Sequence, residues 1–142
     1  MKYGFIKTAA ASPVIKVADS EYNAQRVIEC IADAKAKDVK ILVFPELTLT
    51  GCSCFDLIAH RVILDGAKAA LAKVIAATAG TDMLVFVGLP YAAGSRIYSC
   101  AAAICDGELL GLVPRENVDG SHFQSYDDDE ALDVTVGEYD SF

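Results

Sequence analysis

The sequence predicts an α/β fold, a mixed sheet covered by two main helices. Three observations lead there. Two largely apolar runs, 39–44 (VKILVF) and 83–89 (MLVFVGL), have the length of strands and are continuous enough to be buried on both faces. A longer stretch with helical spacing precedes each of them. Two further apolar runs, 97–104 (IYSCAAAI) and 109–113 (LLGLV), flank Asp106-Gly107, a two-residue hairpin signal. The resulting order, β-α-β-α-β-β-β, is that of an α/β layer structure.

Taken in order, residues 3–10 (YGFIKTAA) are short and apolar-rich, with Pro13 soon after, and are expected to form a strand. Asp19 and Ser20 are both suitable N-caps for a helix running through Ala36. Ala24, Val27, Ile28 and Ile31 form its apolar face, and Lys35 and Lys37 sit where cations favour the helix dipole. Pro45 is expected to stop the 39–44 strand, and a loop over 45–56 turns at Gly51. Residues 57–79 are expected to be helical with a break near Gly66, and Ala67, Leu71, Val74, Ile75 and Thr78 share one stripe. Pro90 is expected to close the 83–89 strand, and Gly94-Ser95 marks a turn. Beyond Pro114 the pattern fades, although 132–136 (LDVTV) alternates as one more strand would. Residues 1–114 therefore form one structural unit, and 115–142 form an acidic, partly irregular segment. At 142 residues the chain holds one domain at most.

Composition narrows the function. The chain is 54% hydrophobic with a mean hydropathy of +0.35. That suggests a fully covered sheet or an apolar surface that a partner covers, most simply another copy in a homo-oligomer. Residues 1–114 hold 11 basic and 11 acidic side chains, whereas 115–142 hold one Arg and nine acids, so the net charge of −8 lies in the tail. A neutral body with an acidic end argues against nucleic-acid binding. No apolar run reaches the roughly 20 residues of a membrane span. The first residues lack the apolar core of a signal peptide. Five cysteines in such a chain are expected to be reduced thiols in the cytoplasm.

Glu46 is the first candidate for chemistry. It follows a buried strand and Pro45 within FPELTLTG, beyond a strand's carboxyl end, where open α/β sheets place ligands. A carboxylate there can serve as a general base, or simply accept hydrogen bonds from nearby backbone N–H groups. Arg115, just past Val113-Pro114, can neutralise Glu46 or stabilise an oxyanion, or can be an ordinary surface arginine. The residues alone leave both choices open. Cys54 has Asp56 and His60 near it in sequence, but nearness in sequence is not a triad. Cys52, Cys54 and His60 lack the paired C-x-x-C spacing of a zinc site, so no metal is expected. No cofactor is expected either, because there is no G-x-G-x-x-G and no P-loop signature.

The set FPELTLTG, VFVGLP and IYSCAAAICDGELLGLVP, in that order and at those intervals, resembles the nitrilase (carbon–nitrogen hydrolase) superfamily. The opening GFIKTAAASPVIKVADSEYNAQRVIECIADA and the stretch FPELTLTGCSCFDLIAHRVIL are similar to its glutamine-dependent NAD synthetase branch, where Cys54 and Asp56-Leu57 agree with a Tyr-x-Cys-x-Asp-Leu pattern. The resemblance covers residues 3–114. It implies part of a nitrilase-type α-β-β-α sandwich, and an amidase whose Glu is the base, whose Lys holds the tetrahedral intermediate and whose Cys attacks. Glu46 matches the family Glu, and Arg115 stands where the family has Lys. Arginine keeps the charge but presents a planar fork instead of a compact ammonium. Cys52 stands where Tyr is common, and Ser99 where Asn is common. The family Cys belongs to a later strand, so the resemblance implies that residues 1–142 are inactive alone. In a longer relative this part would hydrolyse glutamine and supply ammonia to a synthetase domain. The alternative it leaves is a non-catalytic, oligomerising scaffold.

Overall fold

The computed structural model describes residues 3–118 and 122–125. Five strands, β1 (Thr8–Ala10), β2 (Ile41–Val43), β3 (Leu84–Ala93), β4 (Arg96–Cys105) and β5 (Glu108–Pro114), form one sheet in chain order. β1, β2 and β3 are parallel, and β4 and β5 are antiparallel. Helices α1 (Ser20–Ala36) and α2 (Arg61–Ala77) supply the parallel crossovers. The α/β class and the mixed sheet are as expected. The alternating strand at 132–136 lies outside the described residues.

α1 has the expected bounds. Asp19 is its cap, with a carboxylate oxygen accepting the Tyr22 N–H at 3.0 Å. Its face of Ala24, Val27 and Ile31 packs with Leu71 and Val74 of α2 onto Leu42, Val85, Val87, Leu89, Ala102 and Ile104 of the sheet. Asp106-Gly107 makes the β4–β5 hairpin, with positive φ at both residues (48° and 78°), as a type I′ turn requires.

Four expectations change. The first strand covers only residues 8–10, because Tyr3 and Gly4 turn the chain at φ 63° and 75° and Phe5 and Ile6 stay exposed. Gly66 does not break a helix. α2 runs through it, packed against Ser20, and the break falls earlier, where 3-10 turns over Cys52–Ala59 end at His60. The tertiary contact outweighs the ~1 kcal/mol that an isolated glycine costs a helix. Pro90 does not end β3. Phe86 and Gly88 turn their carbonyls toward β2 and its following loop, bonding Phe44 N and Leu49 N. By alternation Pro90 turns its nitrogen the same way, past the end of β2, and removes no β3–β4 bond. Last, β2 is not buried on both faces. Val43 is 43% exposed, because the helices cover one side of the sheet and the other side is left open at this position.

Candidate functional site

The uncovered face carries the polar convergence. Antiparallel pairing puts Gly88 opposite Ala101 and Pro90 opposite Ser99, and Ala101 opposite Val113 on β5. Directly opposed residues share a face. Beyond Pro114 the ladder continues one step, with Arg115 N–H donating to Ser99 O at 2.8 Å. Ser99 and Arg115 therefore rise from neighbouring strands on the same side.

Glu46 reaches them from the loop after β2. That loop closes on itself: Thr50 N–H and Gly51 N–H both donate to Leu47 O, at 3.1 and 2.7 Å, and the Thr48 hydroxyl donates to Pro45 O. Leu47 holds a φ of 54°, unusual for a residue with a branched side chain. Such strain persists only where its surroundings over-determine it. Here they do, because the loop lies directly on Gly88. A Cβ at position 88 would stand 2.4 Å from Leu47 N and 2.6 Å from Pro45 O. Only glycine lets the loop this close to β3.

The Glu46 carboxylate accepts from two side chains. Ser99 Oγ donates to Oε1 at 2.6 Å, and Arg115 Nη1 reaches Oε1 at 3.2 Å and Oε2 at 3.4 Å. The ion-pair side chains remain about half exposed, 50% for Arg115 and 45% for Glu46. The group stands at one end of an open cleft of about 340 Å³, whose other lining includes Val43, Phe86, Ala101 and Val113. The two candidates expected from the sequence, Glu46 and Arg115, thus meet. Ser99 was noticed there only as a departure from a pattern. Its signal was its position sixteen residues before Arg115 across a hairpin of known turn, which sets them side by side once the register is known.

The cysteines near the site are quiet. Cys52 Sγ donates to the main-chain oxygen of Glu46 at 3.3 Å, and burial, then the Glu46 carboxylate, push its thiol up from the ordinary value. Cys54 is buried and donates to Thr50 O at 3.0 Å. Cys100 faces the helix side, packed in a cluster with Tyr91 and Tyr98, and burial pushes its thiol up to about 12. A thiol held above its ordinary value is a poor nucleophile near neutral pH. Among the described residues no three or more His, Cys, Asp or Glu side chains gather as a metal set. None of the described helices is long and apolar enough to cross a membrane.

The model of the carbon–nitrogen hydrolase family matches residues 7–123. A glutamine-dependent NAD(+) synthetase of Mycobacterium bovis is 32% identical over 114 residues, which are 80% of this chain and 17% of that protein. One from Xylella fastidiosa is 33% identical over 106 residues, 74% of this chain and 19% of that protein. The chain thus spans under a fifth of the length of these relatives. Among solved structures, a glutamine-dependent NAD(+) synthetase from Cytophaga hutchinsonii superposes with a TM-score of 0.80 at 24% identity, covering 88% of this chain and 22% of that one. An amidase from Nesterenkonia sp. AN1, in a form with an acetamide moiety added at its active-site cysteine, gives 0.71 at 16% identity, covering 86% and 48%. At these identities the two structures establish the shared α/β fold.

Proposed function

Because the chain belongs to the carbon–nitrogen hydrolase family, we propose that it carries the base-and-cation half of a glutamine amidohydrolase site. In this reading Glu46 is the general base and Arg115 the cation that meets the oxyanion. Ser99 orients the carboxylate by holding Oε1. The observation that supports it is the convergence of Ser99 Oγ and Arg115 Nη1 on one carboxylate at the end of a cleft.

In a longer protein, Glu46 accepts the proton of a cysteine thiol other than the five in this chain, and the thiolate attacks the side-chain amide carbon of glutamine. The carbonyl π electrons move to oxygen. Both contacts of Arg115 to Glu46 come from Nη1, so among the described residues Nη2 and Nε keep donors for that oxygen. The tetrahedral intermediate collapses, the C–N bond breaks, and the proton on Glu46 passes to the departing ammonia. Water then cleaves the thioester by the same acid–base path. In a longer protein, ammonia released this way would feed a synthetase domain, the activity for which the NAD(+) synthetase relatives are named.

By itself, the described part of the chain would not turn over glutamine, because none of its cysteines near the cleft offers Glu46 a reactive thiol. An ammonia-release assay on the 142-residue chain checks this. Release that disappears in Glu46→Gln would overturn the proposed inactivity. In a longer protein containing this segment and a nucleophile, Glu46→Gln should lower kcat about 10²–10⁴-fold, the ordinary worth of a positioned base. A fall of less than tenfold would remove Glu46 from that role.

A second reading, an oligomerising scaffold, rests on the open face, where Val43 and Val113 are 43% and 60% exposed. Self-association would cover that face. Sedimentation tests it, and a clean monomer at micromolar concentration would count against it. The five cysteines are all free, which fits a reducing compartment, and we place the protein in the cytoplasm.

A further inference from the structure

We infer that Asn23, in the first turn of α1 and outside the cleft, positions Glu46 by tying the helix to the turn that carries that carboxylate. The inference rests on Glu46 as the working base. Asn23 is fully buried. Its Nδ2 donates to Lys16 O at 2.8 Å and to Leu49 O at 3.1 Å, and its Oδ1 accepts from Lys16 N at 2.7 Å. Both N–H donors of the amide are therefore spent on carbonyls of two separate segments.

Leu49 is three residues beyond Glu46, in the same closed turn. Its N–H donates to Gly88 O at 3.1 Å, so the sheet holds Leu49 through its nitrogen and Asn23 holds it through its oxygen. The 16–18 segment is bound to the same turn, with Ala18 N–H donating to Thr50 O at 2.8 Å. Asn23 thus joins helix, entry segment and turn. The turn is closed on Leu47 O by Thr50 and Gly51, so a shift at Leu49 passes to Leu47, next to the residue that must present its carboxylate to Ser99 and Arg115. A buried amide used only as a spacer would not need three well-aligned partners. Removing it leaves the Lys16 N–H and the buried Leu49 carbonyl without these partners, and leaves Lys16 O with the Asp19 N–H at 3.3 Å.

The 142-residue chain itself supports the test. The guanidinium Cζ resonance of Arg115 reports its ion pair through Nη1, and Glu46→Gln, which keeps an acceptor but no charge, defines the signature without that pair. Asn23→Ala removes every bond. Asn23→Asp keeps the shape and the bond from Lys16 N–H but removes both donors. Both variants should move the Arg115 resonance at least halfway to the Glu46→Gln value. Both should also speed hydrogen exchange of the Gly51 amide at least tenfold, with Leu71 and Val74 of α2 changing less than twofold. An Arg115 resonance that stays in place in the Asn23 variants, while Glu46→Gln moves it, overturns the inference and leaves the site reading intact. Wild-type behaviour of Asn23→Asp would reduce Asn23 to a spacer and overturn it as well. An unmoved resonance in Glu46→Gln would sink the site reading and this inference together. Should Asn23→Ala not fold, Asn23→Ser, which keeps one hydroxyl donor, is the variant to read. Intermediate exchange at Gly51 supports the inference, and wild-type exchange overturns it.

Discussion

Along β3 and β4 the residues that face the helices alternate with those that face away. Val85, Val87, Ala102 and Ile104 face α1 and α2 and are wholly removed from solvent. Phe86, Gly88, Ser99 and Ala101 come from the same strands and line the open cleft. The covered side holds apolar side chains whose worth is their burial, roughly 25 cal/mol for each Å² removed from water. The open side holds a carboxylate and a guanidinium that stay partly hydrated beside the buried Ser99 hydroxyl, so their charges do not bear the full cost of a dry interior. One sheet thus separates stability from chemistry by the pleat alone.

The sharpest way to break this division is at the one place where the faces depend on each other. Gly88→Ala would put a methyl group against the backbone of Pro45, Glu46 and Leu47. Backbone cannot yield as a side-chain tip can. A loss of about 3 kcal/mol is expected, at the upper end for overpacking, together with loss of the Glu46–Arg115 pair. Urea unfolding and a structure of the variant would check both. A next, smaller effect separates the faces directly. Val85→Ala on the covered side should cost about 2 kcal/mol, whereas Val113→Ala on the open side should stay within about 0.5 kcal/mol. Equal losses would mean that the open face is covered in solution. The smallest effect belongs to the site itself. Arg115→Ala breaks an ion pair that is half exposed, and should change stability by no more than about 1 kcal/mol, with less change in high salt. A loss above ~2 kcal/mol would make the pair structural.

Much of this was legible in the sequence. The helix over 20–36 could be read from its cap and its apolar spacing, and the β4–β5 hairpin from Asp106-Gly107, because both signals are local. Glu46 and Arg115 could be singled out because each follows a strand end. Asn23 was missed although it falls four residues before Val27 and eight before Ile31, on the buried stripe; a polar residue on such a stripe is the available signal. Pro90 and Gly66 misled for a common reason. Their local preferences to stop a strand or a helix were outweighed by neighbours distant in sequence: an edge with no partner for Pro90, and Ser20 packed beside Gly66.

From the chain alone came the alternation of elements, the apolar faces and the two charged residues past strand ends, all properties of residues within a few positions of one another. The tertiary structure decided which side of the sheet the helices cover. It also decided that Ser99 joins the carboxylate, and that a glycine on β3 and a buried asparagine on α1 hold the turn bearing it. Those outcomes depend on strand register and close backbone approach between segments up to 69 residues apart, distances over which local propensity carries no information.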